Sequence, residues 1–267
     1  MQRYIQILRF TNVYSIIQTR GFTGDPIYDF EYTKDSINSI KGKDILYLEM
    51  SDRYSLCFSY YTYQTDSLHK EPNGREVWRK LFSAAIAKDG VNATSFPHKR
   101  SKFIISKNYY SDTIFVKDYI DNDVYKYNSY RKEFDWQICD STKTVLGYQS
   151  YMATCNYHGR EWVVWFTPDI PISDGPWAFC GLPGLILNAQ DKDGLFSFSI
   201  IGLAANQDPK TDWIGEGKET DRITFLKKKY QFLRKSREIL NAELGTNVRY
   251  SKDTRYFDGL EPDFLRH

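Results

Sequence analysis

Residues 28–33, YDFEYT, alternate without interruption: Tyr28, Phe30 and Tyr32 fall on one side, and Asp29, Glu31 and Thr33 on the other. Successive side chains of an extended chain point to opposite faces, so this spacing predicts a half-buried strand. The same period recurs along most of the chain and limits the fold more than any other feature. DILYLEM (44–50) predicts a second strand, with a turn at KGKD (41–44) before it. RYSLCFSYYTY (53–63) predicts a third, with Tyr54, Leu56, Phe58 and Tyr60 on one face and Ser55, Cys57 and Ser59 on the other. KFIIS (102–106), DTIFVK (112–117) and FDWQIC (134–139) continue the series. TVLGYQSYMATCNY (144–157) and REWVVWFT (160–167) follow, joined by His158-Gly159. Both faces of the latter are largely apolar, as in a strand covered on both sides. GLILNAQ and LFSFSII (195–201) are linked by Asp191-Lys192-Asp193-Gly194, a hairpin turn.

Two segments break the pattern. At residues 75–88, Val77, Trp78, Leu81, Ala84 and Ala85 fall at helical spacing, with Gly90 as a stop signal. Residues 220–244 carry Ile223, Leu226, Tyr230, Leu233, Leu240 and Leu244 on one stripe. Thr220 fits an N-cap and Gly245 a C′ residue. The Lys/Arg face of this helix would suit a membrane surface or an acidic partner, but an apolar stripe of this kind points to packing on the sheet. The expected fold is mainly β (α+β): a large antiparallel meander sheet with a short inserted helix and a long C-terminal helix. One domain is expected over 1–245, with a polar tail at 246–267. The 21 Tyr, 17 Phe and 6 Trp strengthen the β assignment.

Other features exclude function classes. With 36 basic and 34 acidic residues the net charge is +2, so no broad basic field awaits nucleic acid. No apolar run is long enough to span a bilayer. The N-terminal MQRYIQILRFTNVYSII is interrupted by Arg9 and Asn12 and lacks a small-residue cleavage site, so it is not read as a signal peptide. Asn92-Ala93-Thr94 matches a glycosylation sequon, a pattern common by chance. The four cysteines, Cys57, Cys139, Cys155 and Cys180, show no CxxC and are expected as free buried thiols. His69, His98, His158 and His267 lie far apart without metal-ligand spacing, and no nucleotide-binding or nucleophile motif occurs. No metal or cofactor is expected.

Candidate chemistry is sparse. His158 and Arg160 bracket a turn glycine and could form an anion-binding or catalytic pair, or be an exposed hairpin tip. Glu161 beside them could act as a general base. Asp169 and Asp174 frame PDIPISDG and could face each other as an acid–base pair, which would suit a hydrolase, or simply serve turn geometry.

GPWAFCGLPGLI (175–186) is uncharged, and Pro168, Pro171, Pro176 and Pro183 cluster around it. Each proline fixes φ, so the loop is largely pre-set. Leu182-Pro183-Gly184-Leu185 suits a type II turn. Trp177, Phe179, Leu182, Leu185 and Ile186 must be covered. Either the loop plugs one end of the sheet, or it lines a binding site made by Trp165, Trp177, Phe179, Gly181, Leu182, Pro183, Gly184, Leu185 and Ile186.

The string GLPGLI (181–186) resembles the signature of the GLPGLI family of Gram-negative bacteria. The similarity extends through WQICDSTKTVLGYQSYMAT, GREWVVWFTPDIPISDGPW and CGLPGLILNAQDKDGLFSF, residues 136–198. Many members place Cys after the GY pair, where this chain has Gln149-Ser150. The resemblance implies a protein of the cell envelope, in the periplasm or at the outer membrane, without an assigned activity. The strand order is also similar to the open β half-barrels of lipoprotein carriers, an architectural likeness only. The expected role is a non-catalytic module binding an apolar ligand, a peptide or an envelope protein partner. The alternative is a hydrolase-type enzyme near Asp169 and Asp174.

Overall fold

The computed structural model describes residues 24–35, 39–51, 53–90, 96–204, 215–244 and 259–266. The N-terminal stretch, the Asn92 sequon and Gly245 lie outside the described residues, as do the side chains of Leu240 and Leu244. The fold is mainly β, and the sheet does not close. Six strands come first: β1 (Asp25–Asp35), β2 (Ile40–Met50), β3 (Tyr54–Ser59), β4 (Ile104–Asn108), β5 (Thr113–Ile120) and β6 (Asp123–Tyr130). Then come β7 (Gln137–Val145), β8 (Tyr148–Tyr157), β9 (Arg160–Thr167), β10 (Leu185–Asp191), β11 (Phe196–Ala204) and β12 (Lys218–Glu219). They form one sheet in the order β12-β6-β5-β4-β3-β2-β1-β11-β10-β9-β8-β7. Neighbours are antiparallel except β12, which runs parallel to β6. Two sequential meanders are thus sewn together by one pair, β1 with β11, in which Phe30 faces Phe198.

Alternation assigns the faces as the pattern predicts. Tyr28 and Phe30 are buried, and Phe30 stacks on Phe198 at 4.4 Å between ring centroids. Trp162, Val164 and Phe166 of β9 join the same core. Three of the cysteines are buried, all four are free, and Cys139 is partly exposed.

The third strand departs from expectation. It stops at Ser59, and Tyr60–Lys70 forms a helix, α1. Ser59 Oγ accepts the Thr62 N–H and donates to Asp44 Oδ1 at 2.9 Å, so a cap ends the strand. The buried Thr65 and Leu68 follow from Tyr61 at helical spacing, hidden inside an aromatic run that suits a strand equally well. KGKD lies within β2, not in a turn. The helix α2 spans Gly74–Asp89. β7 and β8 are separate strands joined at Leu146-Gly147, where φ is 48° and 84°. Two successive positive φ values are those of a type I′ hairpin turn.

The long helix, α3 (Arg222–Leu244), forms as expected, but its first turn is capped by Asp221, whose Oδ1 accepts the Thr224 N–H at 2.8 Å. Phe225 is fully buried against Tyr125 and Tyr127 of β6. The C-terminal segment is not simply a polar tail: Pro262–Arg266 forms a 3-10 turn, with Glu261 and Phe264 buried. Among the described residues, no helix is long and apolar enough to cross a membrane.

Candidate functional site

Between β9 and β10 the proline-rich loop 168–184 returns to the core. It advances by three very tight turns. The N–H groups of Ile172, Asp174 and Gly184 each donate to the carbonyl two residues back, at 2.8 Å. Pro171, Ser173 and Pro183 sit at the centres of these turns, where no central N–H is needed. The turn at Leu182–Gly184 is therefore tighter than the type II turn expected there. Gly184 has φ 156°, and a Cβ on it would lie 2.1 Å from the Thr167 carbonyl oxygen. Only glycine permits that approach.

The loop is seated by Lys107 of β4, which no sequence motif marks. Its ammonium donates to the carbonyls of Gly175, Trp177 and Phe179 at 2.6, 3.1 and 3.2 Å. It also pairs with Asp174 Oδ1 at 2.5 Å, and both side chains are 0% exposed. Asp174 accepts further bonds from Tyr109 Oη at 3.0 Å and the Gly175 N–H at 2.7 Å. A buried charge is tolerated only when paired and fully hydrogen-bonded, and both conditions hold here. Cys57 Sγ accepts the Trp177 N–H, and Tyr28 Oη donates to the Ile186 carbonyl at 2.8 Å. Burial pushes the thiols of Cys57 and Cys180 up to about 11, so neither is a thiolate nucleophile at neutral pH. Burial, and then the nearby Asp174 charge, raises Tyr109 as well.

The residues singled out in the loop are placed unevenly. Trp177 and Phe179 are buried and meet Trp162 at 5.8 and 4.8 Å and Phe198 at 6.4 and 5.7 Å between centroids. Leu182, Gly184, Leu185 and Ile186 are buried, whereas Gly181 and Pro183 are exposed. Trp165 is not with them. Alternation along β9 puts it on the opposite face from Trp162, where Lys143 sits 4.2 Å from its ring centroid. Asp169 and Asp174 do not converge: Asp169 is exposed, and Asp174 is sealed against Lys107. Glu161 is exposed and pairs with Lys192 at 2.8 Å.

His158 and Arg160 form the second constellation. His158 has φ 47° and Gly159 φ 88°, a type I′ turn between β8 and β9. It is not an exposed tip, because the C-terminal segment covers it and leaves the His158 side chain 8% exposed. A Cβ on Gly159 would lie 2.9 Å from the Asp263 nitrogen, so the segment lies flush on the turn. His158 Nδ1 hydrogen-bonds Glu261 Oε1, and Nε2 lies 3.3 Å from Glu133 Oε2. Arg222 of α3 holds Asp263 with two bonds, at 2.9 and 2.6 Å, and lies 3.6 Å from Glu261. Arg160 donates from Nε and Nη2 to the Gly259 carbonyl at 2.9 and 2.6 Å, and from Nη1 to Asp191 at 3.0 Å. Tyr127 Oη donates to Glu261 Oε2 at 3.3 Å. Burial alone would lower the His158 pKa, but the bonds to Glu133 and Glu261 outweigh it and raise the value. Glu133 and Asp263 are held below the usual carboxylate range, despite burial, by His158 and Arg222 respectively.

The third feature is β7, the last strand of the sheet. Among the described residues it pairs on one side only, with β8, and is largely exposed on both faces. Its register breaks between Ile138 and Thr142. Among the described residues no group of three or more His, Cys, Asp or Glu is placed to hold a metal ion.

Residues 157–188 match the model of a family described as protein of unknown function (Porph_ging). That stretch lies within residues 136–198 and contains both GLPGLI and the His158 turn. No curated protein matches the chain. Among solved structures, PNGF-II in a P21 space group is similar at 12% identity with a TM-score of 0.50. The match covers 78% of this chain and 33% of that one. PNGF-II in a C2 space group gives 11% identity, the same TM-score and the same coverage. This chain thus spans about a third of PNGF-II, and at such identity the likeness concerns the fold alone.

Proposed function

We propose that this chain is a non-catalytic binding module of the cell envelope that takes a protein partner in extended form along β7. The observation that carries this reading is the unpaired edge of that strand. Val145 and Tyr148 flank a two-residue turn as a hydrogen-bonded pair, so the alternation of the ladder turns the N–H groups of Thr142 and Thr144 outward. Free donors and acceptors in a row are a template for one more strand. The register break shortens the free run to Thr142–Val145, and Ile138 and Leu146 lie exposed at either side. Trp177 and Phe179 already have aromatic partners, which favours a protein at the edge over an apolar ligand inside. Asp174, His158 and Arg160 are engaged in holding the chain's own segments, and Asp169 lies apart from Asp174 on the surface, which favours binding over hydrolysis. The envelope location rests on the resemblance of residues 136–198 to the GLPGLI family.

The test is native mass spectrometry of the protein purified from its own envelope, beside a Thr142→Pro/Thr144→Pro variant. The expected result is a discrete added protein mass that disappears in the variant while its melting temperature is kept. A bare mass for both proteins, or an added mass that survives the two prolines, would refute the edge reading.

A further inference from the structure

The segment Gly259–Phe264, GLEPDF, is bound to the rest of the molecule in the manner of a peptide ligand. Gly259, Glu261, Asp263 and Phe264 each meet a matching group. The Gly259 carbonyl receives two donors from Arg160. Glu261 meets His158, Arg222 and Tyr127. Pro262 and Asp263 lie on Gly159, where a side chain would leave no room. The Asp263 N–H donates to the His158 carbonyl at 3.3 Å, and its carboxylate takes the Arg222 fork. Phe264 is 2% exposed and meets the Tyr230 ring edge-on at 5.8 Å. The receiving residues come from four places: the β8–β9 turn, β9, α3 and β6. None belongs to the segment itself. Arg222 is bidentate to carboxylate, the geometry that gives arginine its selectivity for such groups.

We propose that His158, Gly159, Arg160 and Arg222 form a recognition site for an acidic peptide of the pattern apolar-Glu-Pro-Asp-apolar, carried by a protein partner and competing with the chain's own residues 259–264. The self-segment is the observed occupant and defines the chemistry: two carboxylates two residues apart, an intervening proline, and flanking apolar side chains. This site lies apart from β7 and stands whether or not that edge takes a strand. A tethered occupant lowers the apparent affinity for an outside peptide by the fraction of molecules in which the site is free. The partner is therefore bound weakly until the self-segment is released.

The experiment uses the full chain and a fluorescein-labelled peptide with the sequence of residues 257–267. Anisotropy is read for the native protein and for a Glu261→Gln/Asp263→Asn variant, with hydrogen exchange over 259–266 measured on both. The expected result is faster exchange of the segment in the variant and peptide affinity at least ~10-fold above that of the native chain. Adding Arg222→Gln to the variant should abolish the gain, and so should a peptide carrying Gln and Asn in place of its two acids. Unchanged exchange would show that the acids do not hold the segment, and would overturn the proposal. So would faster exchange without peptide binding, or binding indifferent to Arg222 and to the peptide's acids.

Discussion

The loop 168–184 and the segment 259–266 both fold back onto the rest of the protein, and each is held by a cation. Lys107 is fully buried and divides its protons among three carbonyls and one carboxylate. Arg222 leaves 14% of its side chain exposed and shares Glu261 with His158. The loop is anchored by strands at both ends, so its ordering cost falls within the fold. The segment follows α3 in the chain and is held by contacts with His158 and Arg222. From their burial the loop should be the permanent device and the segment the reversible one.

Breaking the permanent device should have the larger effect. Lys107→Met leaves Asp174 charged and buried without its counter-ion, along with three carbonyls. The expected loss is about 3–5 kcal/mol in urea unfolding. Lys107→Met with Asp174→Leu should recover only part of it, because the uncompensated charge is removed while the three carbonyls stay unmet. A single-variant loss below about 1 kcal/mol would mean that the aromatic contacts, not the lysine, seat the loop.

The reversible device should answer to pH. His158 faces Glu133, Glu261 and Asp263, with Arg222, Tyr157 and Tyr127 around them. Its pKa is raised in the folded state, so its contribution is complete below the ordinary histidine value near 6.5 and fades as pH rises through the raised value. Glu133 and Asp263 are lowered, so their contribution is complete above the ordinary carboxylate range and fades as pH falls through their lowered values. Protection of the 259–266 amides, taken relative to the intrinsic exchange rate at each pH, should be greatest between these limits and fall on either side. The loop amides should show no matching profile, and a common profile would erase the distinction. The smallest effect belongs to a cation that holds neither segment. Lys143→Met removes only its contact with Trp165, and should cost about 0.5–1 kcal/mol in the same unfolding assay.

Much of the sheet is legible in period-2 alternation. YDFEYT and REWVVWFT place Tyr28, Phe30, Trp162 and Phe166 on the core face as their spacing requires. The residues 123–130 were not expected as a strand, because DVYKYNSY mixes Tyr with polar side chains on both faces and only Tyr127 and Ser129 are buried. The α1 helix is hidden because Tyr and Thr favour strands, and the Ser59 that caps it also bonds Asp44 of another strand, which local sequence does not show. The candidate sites were harder still. Lys107 lies far along the chain from the loop it seats, and a lone lysine in IISKN gives no local sign of burial. The docking of Glu261 and Asp263 depends on Arg222 and His158, which only the fold assembles. Local spacing cannot report a site whose parts come from four elements. The turn at His158-Gly159 was readable, but its covering was not.

The order of strands has a kinetic side. β1 to β6 pair in sequence, and so do β7 to β11, but the seam joins β1 to β11, where Tyr28 waits for Ile200. During synthesis the first meander can form while one edge of β1 is still bare, since its partner is among the last strands made. Contacts this remote in the chain slow folding and lengthen the time an apolar strand spends unpaired. Lys107 is caught in the same interval, charged and uncapped until the second meander brings the loop to it. The edge of β1 is therefore the part of the first meander that waits longest for its partner.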